Sequence, residues 1–225
     1  SLKHPEAPLS FDPVGTYHLV PIEHWEPAKK YGFDFSMTGV LELRKDENDK
    51  LDFHSVLFKV VNGTAIETYY SSTSDSEVKT SADEINISDV GLTGIRPDGS
   101  KVKYWPSRIG VLLTKQDDGF LFDFGGNLAG PEYYFKKIDT APVAKQGPPP
   151  TFKGSVFLVD AANKRISVVG DQVPDKLRKG SAITFVRNSQ IIGRGTVAEV
   201  FANRAIVSLP NIATIQPRDE VFGWK

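Results

Sequence analysis

The stretch Phe33–Arg44 alternates apolar and polar residues over twelve positions. Its odd positions are Phe33, Phe35, Met37, Gly39, Leu41 and Leu43, and its even positions are mostly polar. A period of two is the pattern of a β-strand with one buried face and one exposed face. Strands usually run about five or six residues. A strand of this length, with Gly39 placed to bend it, favours a curled sheet or barrel over a flat stack.

The composition excludes several classes of protein. With 225 residues, 14 Phe, 7 Tyr and 3 Trp, the chain can build one large or two smaller all-β domains. A formal net charge of -1, with basic residues spread along the chain, argues against a nucleic-acid-binding surface. The absence of cysteine excludes disulfides, thiolate zinc sites and cysteine nucleophiles. No apolar run approaches the roughly 20 residues of a membrane-spanning helix.

A proline-rich segment divides the chain. Residues 141–150 contain four prolines, which a central strand does not tolerate, and Pro148–Pro150 favour an extended spacer. We therefore predict two domains, residues 1–140 and 151–225, joined by a linker at 141–150.

Turn signals divide the first domain into eight or nine predicted antiparallel strands. The strongest signal is Asn62-Gly63, and the polar runs Lys45–Lys50 and Asp117–Gly119 are two more. Within Leu51–Val61 the apolar residues change from odd to even positions, which predicts a β-bulge near His54–Ser55. The succession of hairpins predicts an up-and-down barrel.

The second domain is also rich in strands. Ser155–Val159 and Arg165–Val169 are predicted to form a hairpin, and three or four further short strands follow. Five or six short strands in such a small domain predict a second, small β-barrel, so the fold class of the whole chain is all-β.

The sequence contains no recognisable catalytic or metal-binding motif. The four histidines are His4, His18, His24 and His54. None has metal-ligand spacing, and we expect ordinary surface or boundary positions for them. Asp46–Asp49 lacks the ligand order of an EF-hand loop, and no Gly-x-Ser-x-Gly or phosphate-binding loop is present. We therefore expect a protein that is not an enzyme and has no cofactor or metal.

Aromatic residues on two predicted strands are the candidate ligand-binding residues. Phe120, Phe122 and Phe124 share one face of a strand, and Tyr133 and Phe135 share a face of the next one. Two interpretations are open. The rings either fill the core of the first barrel or line a cavity for one small apolar ligand.

The first domain resembles a lipocalin-type barrel of the calycin group. Gly15-x-Tyr17 opens the first strand and a meander of hairpins follows, whereas lipocalins usually carry Gly-x-Trp, so Tyr17 departs from the pattern. The resemblance implies an up-and-down barrel with an interior pocket. It does not imply a particular ligand.

The second domain resembles the C-terminal domain of flagellar assembly protein T and related bacterial envelope modules. The residues that carry this resemblance are Lys179-Gly180, Ile183-x-Phe185-x-Arg187, Ile192-Gly193, Val197-x-x-Val200, Ala205-x-Val207 and Ile215-x-Pro217-x-Asp219. Arg218 stands where the family has the glycine of a Pro-Gly-Asp turn. The resemblance implies an accessory assembly module outside the cytoplasm, without catalysis.

Three hypotheses follow for the function. The first is a non-enzymatic protein of the bacterial cell envelope, in the periplasm or outer envelope, that acts through a protein partner. Because the chain opens with Ser1-Leu2, we expect that an export signal or lipid anchor has been removed. The second is a carrier that holds a small apolar ligand in the first barrel. The third is a hydrolase that acts on an envelope polymer.

Overall fold

The chain folds into fifteen β-strands and two helices of four residues each within its described residues. The structure is a computed structural model that describes residues 7–20, 36–62, 64–73, 77–102, 108–124, 133–144 and 147–225. Two compact units are present. One comprises most of residues 1–137, and the other comprises Ile138–Lys225 together with Thr16–His18 and Thr38–Val40. The predicted all-β class is confirmed.

The first nine strands form one sheet that closes into a barrel. They are β1 (Gly15–Val20), β2 (Ser36–Lys45), β3 (Leu51–Val61), β4 (Thr64–Ser72), β5 (Val78–Ser81), β6 (Glu84–Ile95), β7 (Arg108–Gln116), β8 (Gly119–Phe124) and β9 (Tyr133–Lys137). Their order is β4-β3-β2-β1-β9-β8-β7-β6-β5, and β4 also pairs with β6. Eight strands therefore close the barrel and β5 lies outside the ring, which confirms the predicted up-and-down barrel.

Residues with turn chemistry occupy the conformations that the turns require. Asn62 follows β3 with a φ of 49°, and Val61 pairs with Thr64, so the predicted tight hairpin forms. Gly39 lies within β2 with a φ of 147°, a backbone conformation that favours glycine. The first two apolar residues of the alternating stretch, Phe33 and Phe35, lie outside the described residues.

The change of apolar positions in β3 is not accompanied by the predicted bulge in its pairing with β4. The register with β4 continues without a shift through His54 and Ser55, and it shifts between Lys59 and Val60. The bulge expected near His54–Ser55 is therefore absent from this pairing. Residues 55–58 are all buried, so both faces of β3 are covered and apolar side chains at odd and even positions need no bulge.

A β-bulge does occur in β6, where none was predicted. Buried residues change there from the odd positions Ile85 and Ile87 to the even positions Val90 and Leu92. The register with β7 shifts between Ile87 and Val90, and Asp89 at this point has a φ of 57°. The extra residue returns the apolar side chains after the bulge to the buried face.

The remaining strands form a second closed barrel, as predicted. They are β10 (Phe152–Asp160), β11 (Arg165–Gly170), β12 (Ala182–Arg187), β13 (Gln190–Val200), β14 (Arg204–Ser208) and β15 (Glu220–Trp224). The order around the barrel is β10-β11-β14-β13-β12-β15, and helix α2 (Val173–Lys176) lies between β11 and β12. Phe152, Val168, Phe185 and Val221 belong to its core.

The predicted linker begins with a short helix, which precedes the Pro148–Pro150 run that predicts an extended spacer. Helix α1 spans Ala141–Ala144, and its Val143 is buried in a cluster with Val186 and Phe222. Further along, the indole Nε1 of Trp224 donates a hydrogen bond of 2.8 Å to the carbonyl of Pro148. Because an apolar side chain and a carbonyl both find partners on the second barrel, these parts of residues 141–150 are held against it. The domain boundaries stay a prediction.

A salt bridge fixes the loop before the last strand. Arg187 Nε and Nη2 each donate to the carboxylate of Asp219 at 2.6 Å, and the Gln216 amide donates to it at 2.7 Å. Arg218 has a φ of 76°, a conformation that glycine adopts without strain. The turn therefore forms with a less favourable residue at its tightest position.

Candidate functional site

Four of the five predicted aromatic residues, Phe120, Phe122, Tyr133 and Phe135, lie opposite one another on β8 and β9. In the pairing of these strands Phe120 is opposite Phe135 and Phe122 is opposite Tyr133. Tyr133 is half-buried, and burial raises the pKa of its hydroxyl, which therefore stays neutral across the physiological range. The side chain of Phe124 lies outside the part of the chain that the structure describes.

Ring packing fills the space around three of these residues. The exposed fractions of Phe120, Phe122 and Phe135 are 1%, 0% and 0%. The Phe122 ring lies 5.4 Å from that of Phe135 and 6.0 Å from that of Phe53. A side chain without exposed surface has no water-sized space beside it, so these rings contact protein. Their part in binding a ligand stays a prediction.

Several connecting segments meet at one end of the first barrel. Because neighbouring strands alternate in direction, the β2–β3 turn, the β5–β6 turn and the β7–β8 turn lie at the same end. Residues 7–14, which precede β1, lie at this end too. Binding residues concentrate on loops that a rigid sheet displays, so this end of the barrel is a candidate site.

The N-terminal segment folds across this end of the barrel. The amide of Ala7 donates to the carbonyl of Thr80 in β5 at 3.0 Å, so the segment follows the outer edge of β5. The ring of Phe11 then lies 5.6 Å from that of Phe120. The packing of aromatic rings around Phe120 therefore includes a side chain outside the sheet.

Between these segments lies an open cleft of about 1140 Å³, which we call the mouth cleft. Its apolar lining residues are Pro8, Leu9, Phe11, Pro13, Leu51 and Val78. Its charged lining residues are Asp12, Lys45, Asp46, Asp49, Lys50, Asp52 and Glu77. Three of the five carboxylates are paired: Asp49 with Lys45 at 2.8 Å, Asp52 with Arg44 at 2.9 Å and Glu77 with Lys79 at 3.2 Å. Asp12 and Asp46 then stand against one ammonium group, that of Lys50, so the mouth cleft carries an excess of one negative charge.

Two of these carboxylates, Asp12 and Asp46, serve as turn caps. Asp12 accepts a hydrogen bond of 3.0 Å from the amide of Val14. Asp46 accepts from the amides of Asn48 and Lys50 at 2.8 and 2.9 Å. Such caps explain why aspartates occur at these positions. Neither carboxylate forms an ion pair among the described residues.

A third carboxylate, Asp52, belongs to a polar network on β2, β3 and the end of β4. It lies 2.9 Å from Arg44 Nε, 2.9 Å from His54 Nε2, and accepts from the Thr73 hydroxyl at 2.8 Å. Burial alone would raise the pKa of Asp52, but the hydrogen bonds from Thr73, Arg44 and His54 outweigh it, so the pKa lies below its usual value.

The hydrogen bonds of this network hold its side chains in place and do not activate a nucleophile. The Thr73 hydroxyl donates to Asp52 and accepts from the amide of Phe53 at 3.0 Å, so His54 does not activate it as a nucleophile. The sequence predicts an ordinary surface or boundary position for His54 and gives no expectation of its partners Asp52 and Arg44. A signal was present, because Arg44 and Asp52 flank the predicted turn at nearly equal distances and carry opposite charges. His18, by contrast, is buried and not at the surface.

The described residues contain neither a group of three or more His, Cys, Asp or Glu side chains placed to hold a metal ion nor a helix long and apolar enough to span a membrane.

The fold and the mouth cleft define a class: an all-β protein of two barrels, the first with an acidic cleft at one end.

Comparison with known proteins does not narrow this class to a family. No protein-family model and no curated protein matches the chain. A crystal structure described as a β-barrel-like protein of domain of unknown function DUF1849 from Brucella abortus is 11% identical, with 91% of this chain and 95% of that chain covered. The TM-score is 0.20, and at that value the likeness carries no argument about this protein.

Proposed function

We propose that this protein is a non-enzymatic interaction module of the bacterial cell envelope that binds a basic segment of a partner protein in the mouth cleft. The observation that carries the proposal is an open, partly apolar cleft in which Asp12 and Asp46 form no ion pair among the described residues and one negative charge is in excess. Opposite charge speeds association and selects the partner, and the apolar lining contributes affinity.

The shape of the mouth cleft favours a chain segment over a small ligand. A volume of about 1140 Å³ exceeds the roughly 300–1,000 Å³ typical of small-molecule pockets. The apolar residues Leu9, Phe11 and Val78 can contact the aliphatic stems of lysine or arginine while Asp12 and Asp46 face the charged ends.

One further point supports an assembly role in the envelope. The second domain resembles the C-terminal domain of flagellar assembly protein T in the residues given above, and that resemblance implies a module without catalysis outside the cytoplasm. The lipocalin-like character of the first barrel belongs to the same proposal. Fractionation of cells that produce the protein natively tests the location, and recovery in the cytoplasm would contradict this part.

The carrier hypothesis has less support from the geometry. It requires free space where Phe122 packs between Phe53 and Phe135 with no exposed surface. The hydrolase hypothesis requires a nucleophile or an acid–base pair that faces a substrate, whereas Asp52 and Thr73 are already committed to each other.

Binding of a labelled basic peptide to the full chain tests the proposal. The probe is a fluorescein-labelled peptide that alternates lysine with leucine, and its anisotropy is followed on titration with protein. The variant Asp12→Asn/Asp46→Asn removes two charges, while asparagine can still cap each turn. At about 0.5–1 kcal/mol per charge, we expect binding to weaken about fivefold to thirtyfold.

Asp98 provides the matched control. It caps another exposed turn by accepting from the amide of Ser100 at 2.9 Å, and it does not line the mouth cleft. Asp98→Asn should leave peptide binding unchanged. Equal weakening by both variants, or no binding of the peptide by the wild-type chain at low salt, would contradict the proposal.

A further inference from the structure

A second cleft, independent of the mouth cleft, lies on the second barrel. It has a volume of about 550 Å³ and we call it the hairpin cleft, because β13 and the start of the β13–β14 hairpin form one side. Its lining residues are Pro174, Leu177, Arg178, Lys179, Ala198, Glu199, Val200 and Phe201. All of them belong to the second unit.

A tight turn presents two cations at the hairpin cleft. Gly180 has a φ of 90°, which favours glycine, and its amide donates to the carbonyl of Val197 in β13 at 2.8 Å. The amide of Arg178 donates to the hydroxyl of Ser181 at 3.0 Å. Arg178 and Lys179 are therefore held beside β13 by the hydrogen bonds of this turn, one to a backbone carbonyl and one to the Ser181 hydroxyl, while their side chains remain exposed.

The opposite side of the hairpin cleft presents an exposed aromatic ring. Phe201 is 42% exposed, and among the described residues it and Leu158 are the exposed large hydrophobic side chains. The guanidinium of Arg204 lies 5.3 Å from the centre of the Phe201 ring. A ring in contact with a guanidinium offers a partner both an apolar surface and a positive charge.

The charges of the hairpin cleft are unbalanced. Its one carboxylate, Glu199, is 3.4 Å from Arg165 Nη1 and is thereby neutralised. Arg178 and Lys179 form no ion pair among the described residues. The cleft thus combines uncompensated positive charge with the apolar surfaces of Leu177, Val200 and Phe201.

We infer that the hairpin cleft binds an acidic peptide segment in which an aromatic or aliphatic side chain lies next to carboxylates. The apolar side chain would cover Phe201, and the carboxylates would pair with Arg178 and Lys179. A nucleic acid fits less well, because basic residues are spread along the chain and the net charge is -1.

The test is a titration of the full chain against a fluorescein-labelled peptide, Glu-Glu-Phe-Glu-Glu, followed by anisotropy. Lys179→Glu should weaken binding at least fivefold, and Phe201→Ser should weaken it by a similar factor. Lys101→Glu is the matched control. It makes the same change of charge at an exposed position of the first barrel and should leave binding unchanged. Thermal melts check that each variant is folded.

Two outcomes would overturn the inference. One is equal weakening by Lys179→Glu and Lys101→Glu, which would show a response to net charge alone. The other is binding of a labelled single-stranded oligonucleotide as tightly as the acidic peptide. The result is independent of the mouth cleft, because Asp12→Asn/Asp46→Asn should not affect the acidic peptide.

Discussion

Truncation of Phe122 tests whether the first barrel is filled. Phe122 has no exposed surface and packs against the rings of Phe53 and Phe135. We therefore expect Phe122→Ala to destabilise the barrel and to create an apolar cavity that the wild-type protein lacks.

The size of the effect follows from the burial. A buried phenylalanine removes roughly 150–200 Å² from water, which at about 25 cal/mol per Å² is about 4–5 kcal/mol. Alanine keeps the Cβ atom and the surroundings relax in part, so we expect the free energy of unfolding to fall by about 3–5 kcal/mol.

Hydrogen exchange of strand β8 measures this loss in the first barrel alone. Its slowest amides should exchange between about two and four orders of magnitude faster in Phe122→Ala. The same truncation at Phe201, which is 42% exposed, is the control and should cost about 1 kcal/mol or less in the second barrel. Benzene should then protect the variant from exchange but have no effect on the wild type.

A different result would refute the argument. If Phe122→Ala costs no more than Phe201→Ala, the ring does not support the interior. If the wild-type protein itself binds an apolar probe and is stabilised by it, the interior contains space and the carrier hypothesis regains its basis.

Three further predictions concern charge and backbone strain. The pKa of Asp52 is lowered on folding, so its contribution to stability is complete above the unfolded value of about 3.9 and is lost as pH falls through the folded pKa. Thermal melts of wild type and Asp52→Asn should therefore converge at low pH. Arg187→Ala leaves the buried Asp219 without its cation, and because the arginine side chain is 34% exposed we expect a loss of about 2–3 kcal/mol in urea unfolding of the second barrel. Arg218→Gly relieves a φ of 76° and should stabilise the same barrel by about 0.5–1 kcal/mol, and a lower melting temperature would contradict this.

The architecture could be predicted because alternation and turn residues are local signals. Asn62 and the polar run Lys45–Lys50 mark hairpins whatever the rest of the chain does. A change of apolar positions within a strand is ambiguous, however. In β3 it reflects burial of both faces, whereas in β6 it reflects a bulge at Asp89. The sequence alone does not distinguish these causes, because what covers the second face is a tertiary property.

The mouth cleft could not be predicted for a related reason. It brings together residues 8–13, the β2–β3 turn and β5, which are far apart in the sequence. Asp12 and Asp46 each have an ordinary local purpose as a turn cap, so neither is conspicuous in the sequence. The aromatic residues of β8 were found because one strand carries three of them on one face.

Strand β6 pairs with two strands along the same edge. Its residues 84–87 pair with β5, and its residues 91–95 pair with β4. Because the pairing of β6 with β4 already closes the barrel, strand β5 is not needed for closure. Insertions and substitutions there would leave the ring of strands intact, yet Glu77, Val78 and Thr80 border the mouth cleft. Related chains could therefore diverge in what they recognise while inheriting the same scaffold.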